Sequence, residues 1–199
     1  MFYKLTFCCI AIILSACVFA DERLRFDESV KKEEKYCILI DGYKWSKYFV
    51  DMFLKLDCKP IYIQSTKEPL ARFIKSTTYD DRDFIATYSY NGDITELLKA
   101  IKYKPIKAVI TGLESGINLA DLLSERLATP TNGTVKTQAR TDKFQMAEAL
   151  SASGLKTAKY FKSNDFNKIL YWIKNNTTYP VVLKPLSSGG TRWSIYMHG

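Results

Sequence analysis

YCILIDG, residues 36–42, is a run of mostly apolar residues that ends in an Asp-Gly turn. Three further runs follow it along the chain: PIYIQ at 60–64, DFIAT at 83–87 and KAVITG at 107–112. Each run is short enough to be one strand, and helical patterns separate the runs. Strands that read as continuous apolar runs are typical of parallel sheets buried on both faces. The pattern therefore predicts an α/β fold in which a Rossmann-like parallel sheet is covered by helices.

The segments between these strands carry helix signals. Residues 45–56 place apolar side chains three and four positions apart, which is the spacing of an amphipathic helix. Asp93 precedes a similar pattern and is a candidate N-cap. Leucines between Leu119 and Leu127 predict a third helix after the fourth strand.

The carboxyl ends of the first and fourth strands carry residues suited to ligand binding. These are Asp41-Gly42 and the segment 112–116, which includes Glu114 and Ser115. Ligands of open parallel sheets bind beyond the carboxyl ends of the strands, so Glu114 and Ser115 are candidate substrate contacts. The alternative is that the glycines form tight turns and that Glu114 and Ser115 begin the next helix. The sequence contains neither G-x-G-x-x-G nor a Walker A motif, which excludes the standard dinucleotide and P-loop sites.

A second unit follows a break at residues 130–133. Its predicted elements are a helix over 142–153 that ends at Gly154, a strand at 157–161 (TAKYF), a helix after a cap at 163–165, and a strand at 179–185 (YPVVLKP). At about 60 residues this piece is too small to bury a large core by itself.

The strand at 179–185 delivers Lys184 next to a loop of small residues. The loop contains Ser187, Ser188, Gly189, Gly190 and Thr191. Backbone N–H groups and hydroxyls in such a loop suit phosphate oxygens, and a lysine ammonium adds a point charge. The combination predicts a site for a nucleoside triphosphate.

Residue usage excludes several classes of site and partner. The net charge of +8 favours anionic ligands, but no basic cluster is interleaved with aromatic residues, so we expect no nucleic-acid partner. The only histidine is His198, which leaves Ser-His-Asp and Cys-His hydrolase mechanisms without a credible base. No cysteine or histidine cluster has zinc-site spacing. Cys37 and Cys58 are expected to be small core residues with free thiols.

Residues 1–20 resemble a secretory leader. Lys4 gives a minimal positive region, and a short apolar stretch follows it. Two processing routes are open: ordinary cleavage after Ala20, or lipidation of Cys17 in a lipobox-like Leu-Ser-Ala-Cys sequence. An uncleaved anchor or an incorrectly assigned start is the alternative to both. Residues 21–35 are charged, lack a clear period and are predicted to be a linker.

Two segments resemble the ATP-grasp superfamily of carboxylate–amine ligases: TNGTVKTQARTDKFQMAEAL at 131–150 and YPVVLKPLSSGGT at 179–191. The match is nearest to the amino-acid-ligase-like branch. Its pattern runs strand, G-x-E-x-G, helix, N-G-T, D-K-x-x-M helix, P-V-V-L-K-P and Ser/Gly loop, and all of these occur here in order. The resemblance implies a Rossmann-like pre-ATP-grasp domain over 36–133 and a partial α+β ATP-grasp lobe over 134–191. Residues 192–199 would be a tail outside the family pattern.

Carried over residue by residue, the resemblance makes Lys143 and Lys184 ATP-contacting lysines. It makes residues 187–191 the mobile loop that closes over the phosphates. It also implies ATP as the cofactor, Mg²⁺ in full-length relatives, and a small carboxylate or amino acid that is activated as an acyl phosphate and joined to an amine. The family's metal-binding carboxylates have no counterpart among these 199 residues, so the resemblance implies a truncated ligase that is inactive by itself.

A second function class remains open. The leader-like start favours a non-catalytic, envelope-associated or secreted binding module that keeps the first domain folded. The two interpretations differ in compartment, because the leader indicates secretion or membrane attachment and the family resemblance indicates the cytoplasm.

Overall fold

The computed structural model describes residues 33–67, 77–187 and 194–198. The predicted leader, with Cys17 and Ala20, lies outside these ranges, and so do loop residues Ser188, Gly189, Gly190 and Thr191. Within the described ranges, no helix is both long enough and apolar enough to cross a bilayer.

The predicted parallel sheet is confirmed. Its strands are β1 (Tyr36–Ile40), β2 (Lys59–Gln64), β3 (Ala86–Ser89) and β4 (Ile106–Thr111). They lie in the order β3-β2-β1-β4, and every neighbouring pair is parallel. In the central register Ile38 lies opposite Ile61 on one side and Val109 on the other.

Helices cover both faces of this sheet. They are α1 (Ser46–Lys55), α2 (Ile94–Ile101) and α3 (Ile117–Arg126). On one face, buried apolar residues of α2 and α3 pack against the isoleucines of β1 and β2. On the other face, Val50 and Phe53 of α1 pack against Leu39 and Tyr62. The continuous apolar runs of β1 and β2 are explained by this coverage, because both faces of each strand are out of water.

After residue 133, the part of the chain that the structure describes contains three helices: α4 (Thr137–Thr141), α5 (Lys143–Ala152) and α6 (Phe166–Asn176). Asp142 caps α5 by accepting hydrogen bonds from the N–H groups of Phe144 at 2.8 Å and Gln145 at 2.9 Å. Asp165 caps α6 in the same way, and Gly154 follows α5 with a φ of +76°. The cap at Asp165 and the left-handed Gly154 agree with the signals in the sequence. The helix predicted over 142–153 begins one residue later, at Lys143, because Asp142 is its cap. The short helix α4 was not predicted.

The strand predicted at 157–161 is wrong, because residues 155–163 belong to no helix or strand. A strand needs a hydrogen-bonding neighbour. Strand β5 (Val181–Leu183) pairs with β6 (Ile195–Met197) and not with residues 157–161. These two strands are antiparallel, with Val182 opposite Tyr196. Strand β6 lies in the segment that the family pattern does not cover.

Free thiols at Cys37 and Cys58 were also wrongly expected, because the two cysteines form a disulfide. Their Cα atoms are 5.8 Å apart, and both residues are buried. The sheet explains the pairing. Cys58 immediately precedes β2. Cys37 belongs to the adjacent strand β1, where it lies opposite Pro60 of β2.

Candidate functional site

The order of the strands places a topological switch point at β1 and β4. The chain runs from β1 to β2 and β3 on one side and then returns to β4 on the other side, so the direction of winding reverses at β1. Ligands of doubly wound sheets bind at this switch point, outside the carboxyl ends of the strands. Asp41-Gly42 and Gly112 follow β1 and β4 directly, as the sequence predicted.

The backbones of these two strand ends approach closely at Gly112. A Cβ atom there would lie 2.8 Å from the Cα of Gly42 and 2.9 Å from the carbonyl oxygen of Asp41. The N–H of Gly112 donates to the carbonyl of Ile40 at 2.8 Å. A side chain at position 112 would therefore push the two strand ends apart, and only glycine fits without a shift.

Asp41 holds this edge of the sheet together. Its side chain is buried, with 1% of the residue exposed, and its φ of +49° is in the left-handed region that aspartate tolerates better than most residues. One carboxylate oxygen accepts from the backbone N–H of Ser65 at 2.9 Å. The other accepts from the hydroxyls of Ser65 at 2.5 Å and Ser115 at 2.6 Å. These three donors compensate the buried charge and join the segments that follow β1, β2 and β4.

The candidate substrate residues Glu114 and Ser115 lie in a short 3₁₀ turn, Glu114–Gly116, directly before α3. The Ser115 hydroxyl is engaged with Asp41, and Glu114 is half-buried at the same edge of the sheet. Gly116 is required by packing, because a Cβ atom there would lie 2.3 Å from the Thr111 hydroxyl oxygen. The segment therefore forms the tight turn that was one of the two alternatives, and it also places the Glu114 carboxylate at the switch point.

The two lysines predicted to contact ATP belong to segments that meet. The N–H of Lys143, the first residue of α5, donates to the carbonyl of Leu186 at 2.9 Å, and the Lys143 ammonium lies 3.5 Å from the same oxygen. Leu186 is two residues beyond Lys184 and one residue before Ser187, and Lys184 and Ser187 are both exposed. The start of α5 is thus attached to the segment that leads from β5 into the small-residue loop.

Aromatic side chains surround the first turn of α5. The ring of Phe144 meets the ring of Tyr160 edge to face at 5.6 Å, and the Lys162 ammonium lies 5.4 Å from the Phe144 ring centre. The Tyr160 hydroxyl donates to Glu148 at 2.8 Å, and this hydrogen bond raises the pKa of Tyr160. These contacts anchor the extended segment 155–163 against α5.

The sequence interpretation missed a buried polar cluster between α3 and α4. Asp121 on α3 forms an ion pair with Arg140 and accepts from the Thr137 hydroxyl at 2.6 Å. Arg140 also donates to the carbonyl of Gly133 at 2.6 Å, within the N-G-T segment. One signal could have found it: Asp121 interrupts the apolar face of a predicted helix, and a charge in that position needs a partner.

Among residues 33–67, 77–187 and 194–198, no group of three or more histidine, cysteine, aspartate or glutamate side chains is arranged to hold a metal ion.

Comparison with known proteins supports the resemblance to ATP-grasp ligases. No protein-family model matches the chain. The chain is 28% identical over 167 residues to dapdiamide A synthase from Enterobacter agglomerans. The matched region covers 82% of this chain and 38% of that protein. The structure is similar to the L-amino acid ligase from Bacillus licheniformis, with a TM-score of 0.62 and 14% identity over 85% of this chain and 40% of that chain.

A third likeness is to the biotin carboxylase domain of the Hydrogenobacter thermophilus 2-oxoglutarate carboxylase, solved with MgADP, ADP and bicarbonate. Its TM-score is 0.55 at 16% identity, over 80% of this chain and 37% of that chain. The chain therefore spans about two fifths of the length of the relatives that it matches. These likenesses establish the fold, and the resemblance to the ATP-grasp superfamily that the sequence predicted is confirmed.

Proposed function

We propose that these residues form the first domain and the first ATP-binding lysines of an ATP-dependent carboxylate–amine ligase of the ATP-grasp type. One observation carries the proposal: the hydrogen bond from the Lys143 N–H to the Leu186 carbonyl joins the two lysine-bearing segments. Two ammonium groups beside one small-residue loop suit the polyphosphate of ATP, because catalysis of phosphoryl transfer depends on positioning and on charge stabilisation. The domain boundaries at 36–133 and 134–191 belong to this proposal.

In the proposed reaction ATP supplies its γ-phosphoryl group to a substrate carboxylate. The carboxylate oxygen attacks phosphorus, ADP leaves, and the resulting acyl phosphate is attacked by an amine with release of inorganic phosphate. The roles of Lys143, Lys184 and residues 187–191 are to hold the phosphates and to offset the charge that moves toward ADP. Mg²⁺ is expected with ATP, as in the MgADP-bound carboxylase domain, and we assign no magnesium ligand to the described residues.

The switch point is the proposed place for the small substrate. Glu114 is half-buried beyond the carboxyl end of β4 and offers a carboxylate to the ammonium group of an amino acid. Ser115 contributes indirectly, because its hydroxyl is already donated to Asp41 at 2.6 Å. A small carboxylate or amino acid is the substrate class that this charge favours.

The 199-residue chain is expected to bind MgATP weakly and to release no phosphate by itself. Lys184 is exposed, and one exposed charge contact contributes only about 0–1 kcal/mol. We therefore expect a dissociation constant of about 1 mM or weaker. This corresponds to a binding free energy no more favourable than about −4 kcal/mol.

The test is a titration with MgATP followed through backbone amide resonances, which detect binding in this range. We expect the largest shifts at Lys143 and Lys184, smaller shifts with AMP, and loss of these shifts in Lys184→Ala. Lys174→Ala, an exposed lysine of α6, is the matched control and should bind as the native chain does. Shifts confined to other regions, or none at saturating MgATP, would reject the nucleotide site. Amino-acid-dependent phosphate release would reject the expected inactivity.

A secreted or envelope-associated binding module is the second candidate, and the buried Cys37–Cys58 disulfide favours it. Disulfides persist mainly in oxidising compartments, whereas ATP-dependent ligation belongs in the cytoplasm. The intact mass of protein recovered from its host separates the two. A mature chain that begins at Cys17 or Asp21 supports export or membrane attachment. A chain that retains Met1 in the soluble cytoplasm, with both thiols reduced, would reject the secreted or envelope-associated module.

A further inference from the structure

We infer that Asp121 and Arg140 are positioning residues, which hold the start of α5 in place and so set the position of Lys143 relative to the first domain. The inference rests on the proposed function for the role of Lys143 toward ATP. The placement itself can be measured without nucleotide.

The contacts of Arg140 converge on one point between the two units. Its guanidinium pairs with Asp121 and also donates to the Gly133 carbonyl at 2.6 Å and to the Thr137 hydroxyl at 3.2 Å. The Thr137 hydroxyl in turn donates to Asp121 at 2.6 Å. Asp121 therefore receives donors from two residues one turn apart on α4, Thr137 and Arg140. Arg140 also fixes the N-G-T segment that leads into α4.

Burial makes this pair sensitive to the loss of either partner. The Asp121 side chain is 11% exposed and that of Arg140 is 27% exposed. Removing one member of a poorly hydrated pair leaves an uncompensated charge, and the surrounding chain must open to let water reach it. A second contact restrains the same segment, because Glu125 of α3 accepts from the N–H and hydroxyl of Thr134 at 2.8 and 2.9 Å.

The path from Arg140 to Lys143 is short and rigid. Asp142, two residues after Arg140, donates its N–H to the Gln138 carbonyl at 2.8 Å and caps α5 with its carboxylate. Lys143 is the next residue, and its N–H is held by Leu186. Each intervening residue is thus fixed by a hydrogen bond, so that a displacement of Arg140 is passed on to Lys143.

Helix α3 connects this cluster with the switch point. The helix begins at Ile117, two residues after Ser115, which is bonded to Asp41. Asp121 is one helical turn further along, about 6 Å at 1.5 Å per residue. Helix α3 therefore connects two contacts. Ser115, just before the helix, is bonded to Asp41 at the proposed substrate site, and Asp121, one turn into the helix, is paired with Arg140 near the proposed ATP lysine.

The first test measures hydrogen exchange of the Lys143, Phe144 and Gln145 amides in Arg140→Met and Asp121→Asn. We expect exchange there to be at least tenfold faster than in the native chain, with the amides of β1 unchanged. Arg126→Met, which removes an exposed arginine from the end of α3, is the matched control and should leave all of them unchanged. Arg140→Lys should restore part of the protection. Unchanged exchange at Lys143, or equally faster exchange in β1, would overturn the inference.

The second test is a double-mutant cycle on MgATP affinity. In the native background Lys143→Ala should weaken binding by up to about fivefold, the range of one exposed charge contact. In the Arg140→Met background the same change should weaken it by less than twofold, because Lys143 is no longer in place. Equal effects in both backgrounds would show that Arg140 acts on stability alone and would overturn the inference. If the native chain binds no nucleotide, the proposed function fails, and the exchange measurement alone decides the positioning role.

Discussion

Asp41 illustrates how one side chain can organise a whole edge of the sheet. It is the first residue after β1, it is almost completely buried, and its carboxylate accepts three hydrogen bonds from Ser65 and Ser115. Buried polar groups are tolerated only when they are paired, and here each partner depends on the same carboxylate. The geometry of the switch point is therefore sensitive to this one residue.

Asp41→Ala is expected to lower the free energy of unfolding by about 1–3 kcal/mol, because the half-buried Ser65 and the exposed Ser115 lose the acceptor of their three hydrogen bonds. Asp51→Ala is the control. Asp51 pairs with Lys47 on the exposed face of α1, where such a pair contributes about 0–1 kcal/mol. Urea unfolding followed by circular dichroism measures both. Equal midpoints for the two variants would contradict the anchoring role of Asp41.

At the scale of helices and strands, local chemistry made part of the molecule predictable. The caps Asp93 and Asp165 were found in advance because a cap depends on a side chain and the N–H groups two or three residues beyond it. Strands β1 and β2 were found because burial on both faces leaves a continuous apolar run. These features are written in short stretches of sequence.

Other features depended on partners far along the chain. The segment 157–161 has the composition of a strand, but composition does not provide a neighbouring strand, and the antiparallel partner of β5 is β6. The Asp121–Arg140 pair joins residues 19 positions apart, and the Asp41–Ser115 bond joins residues 74 apart. The lysine-bearing segments were singled out by the family resemblance, whereas the Asp121–Arg140 cluster was seen only in three dimensions.

Asp142→Ala is expected to lower the free energy of unfolding by about 1 kcal/mol, because the N–H groups of Phe144 and Gln145 lose their acceptor. Asp165→Ala removes the equivalent cap from α6 and should cost a similar amount. The two variants should differ at Lys143, whose amide should exchange faster only in Asp142→Ala. Identical exchange at Lys143 in both would indicate that this cap does not hold the start of α5.

At the scale of the whole molecule, the Cys37–Cys58 disulfide joins the first two strands of the central sheet. The two cysteines are 21 residues apart, and a crosslink that closes a loop of this length stabilises the folded state by about 3 kcal/mol, by restricting the unfolded chain. Both sulfurs lie in the apolar layer formed with Val50 and Phe53 of α1. The state of this bond therefore sets a large part of the stability of the parallel sheet and the helices packed on it.

Reduction with dithiothreitol is expected to lower the melting temperature by roughly 6–12 °C, which corresponds to about 3 kcal/mol for a chain of this size. The reductant should have no effect on the double variant Cys37→Ala/Cys58→Ala. Peptide mapping of the unreduced protein should recover the Cys37–Cys58 crosslink. Native protein with both thiols free and a melting temperature insensitive to reductant would contradict this pairing.

The position of β1 in the middle of the sheet has a consequence for synthesis on the ribosome. β1 is the first strand of the parallel sheet to be made. Its partner β2 follows within about 20 residues, but its other partner β4 begins at Ile106. At about 5–20 residues per second, β4 emerges roughly 2–9 s after β2. During that interval one edge of the most apolar strand has no partner, while Cys37 and Cys58 are already outside the exit tunnel. We therefore expect chaperones to bind, and thiol oxidants to act on, nascent chains whose synthesis has passed β2 but has not reached β4.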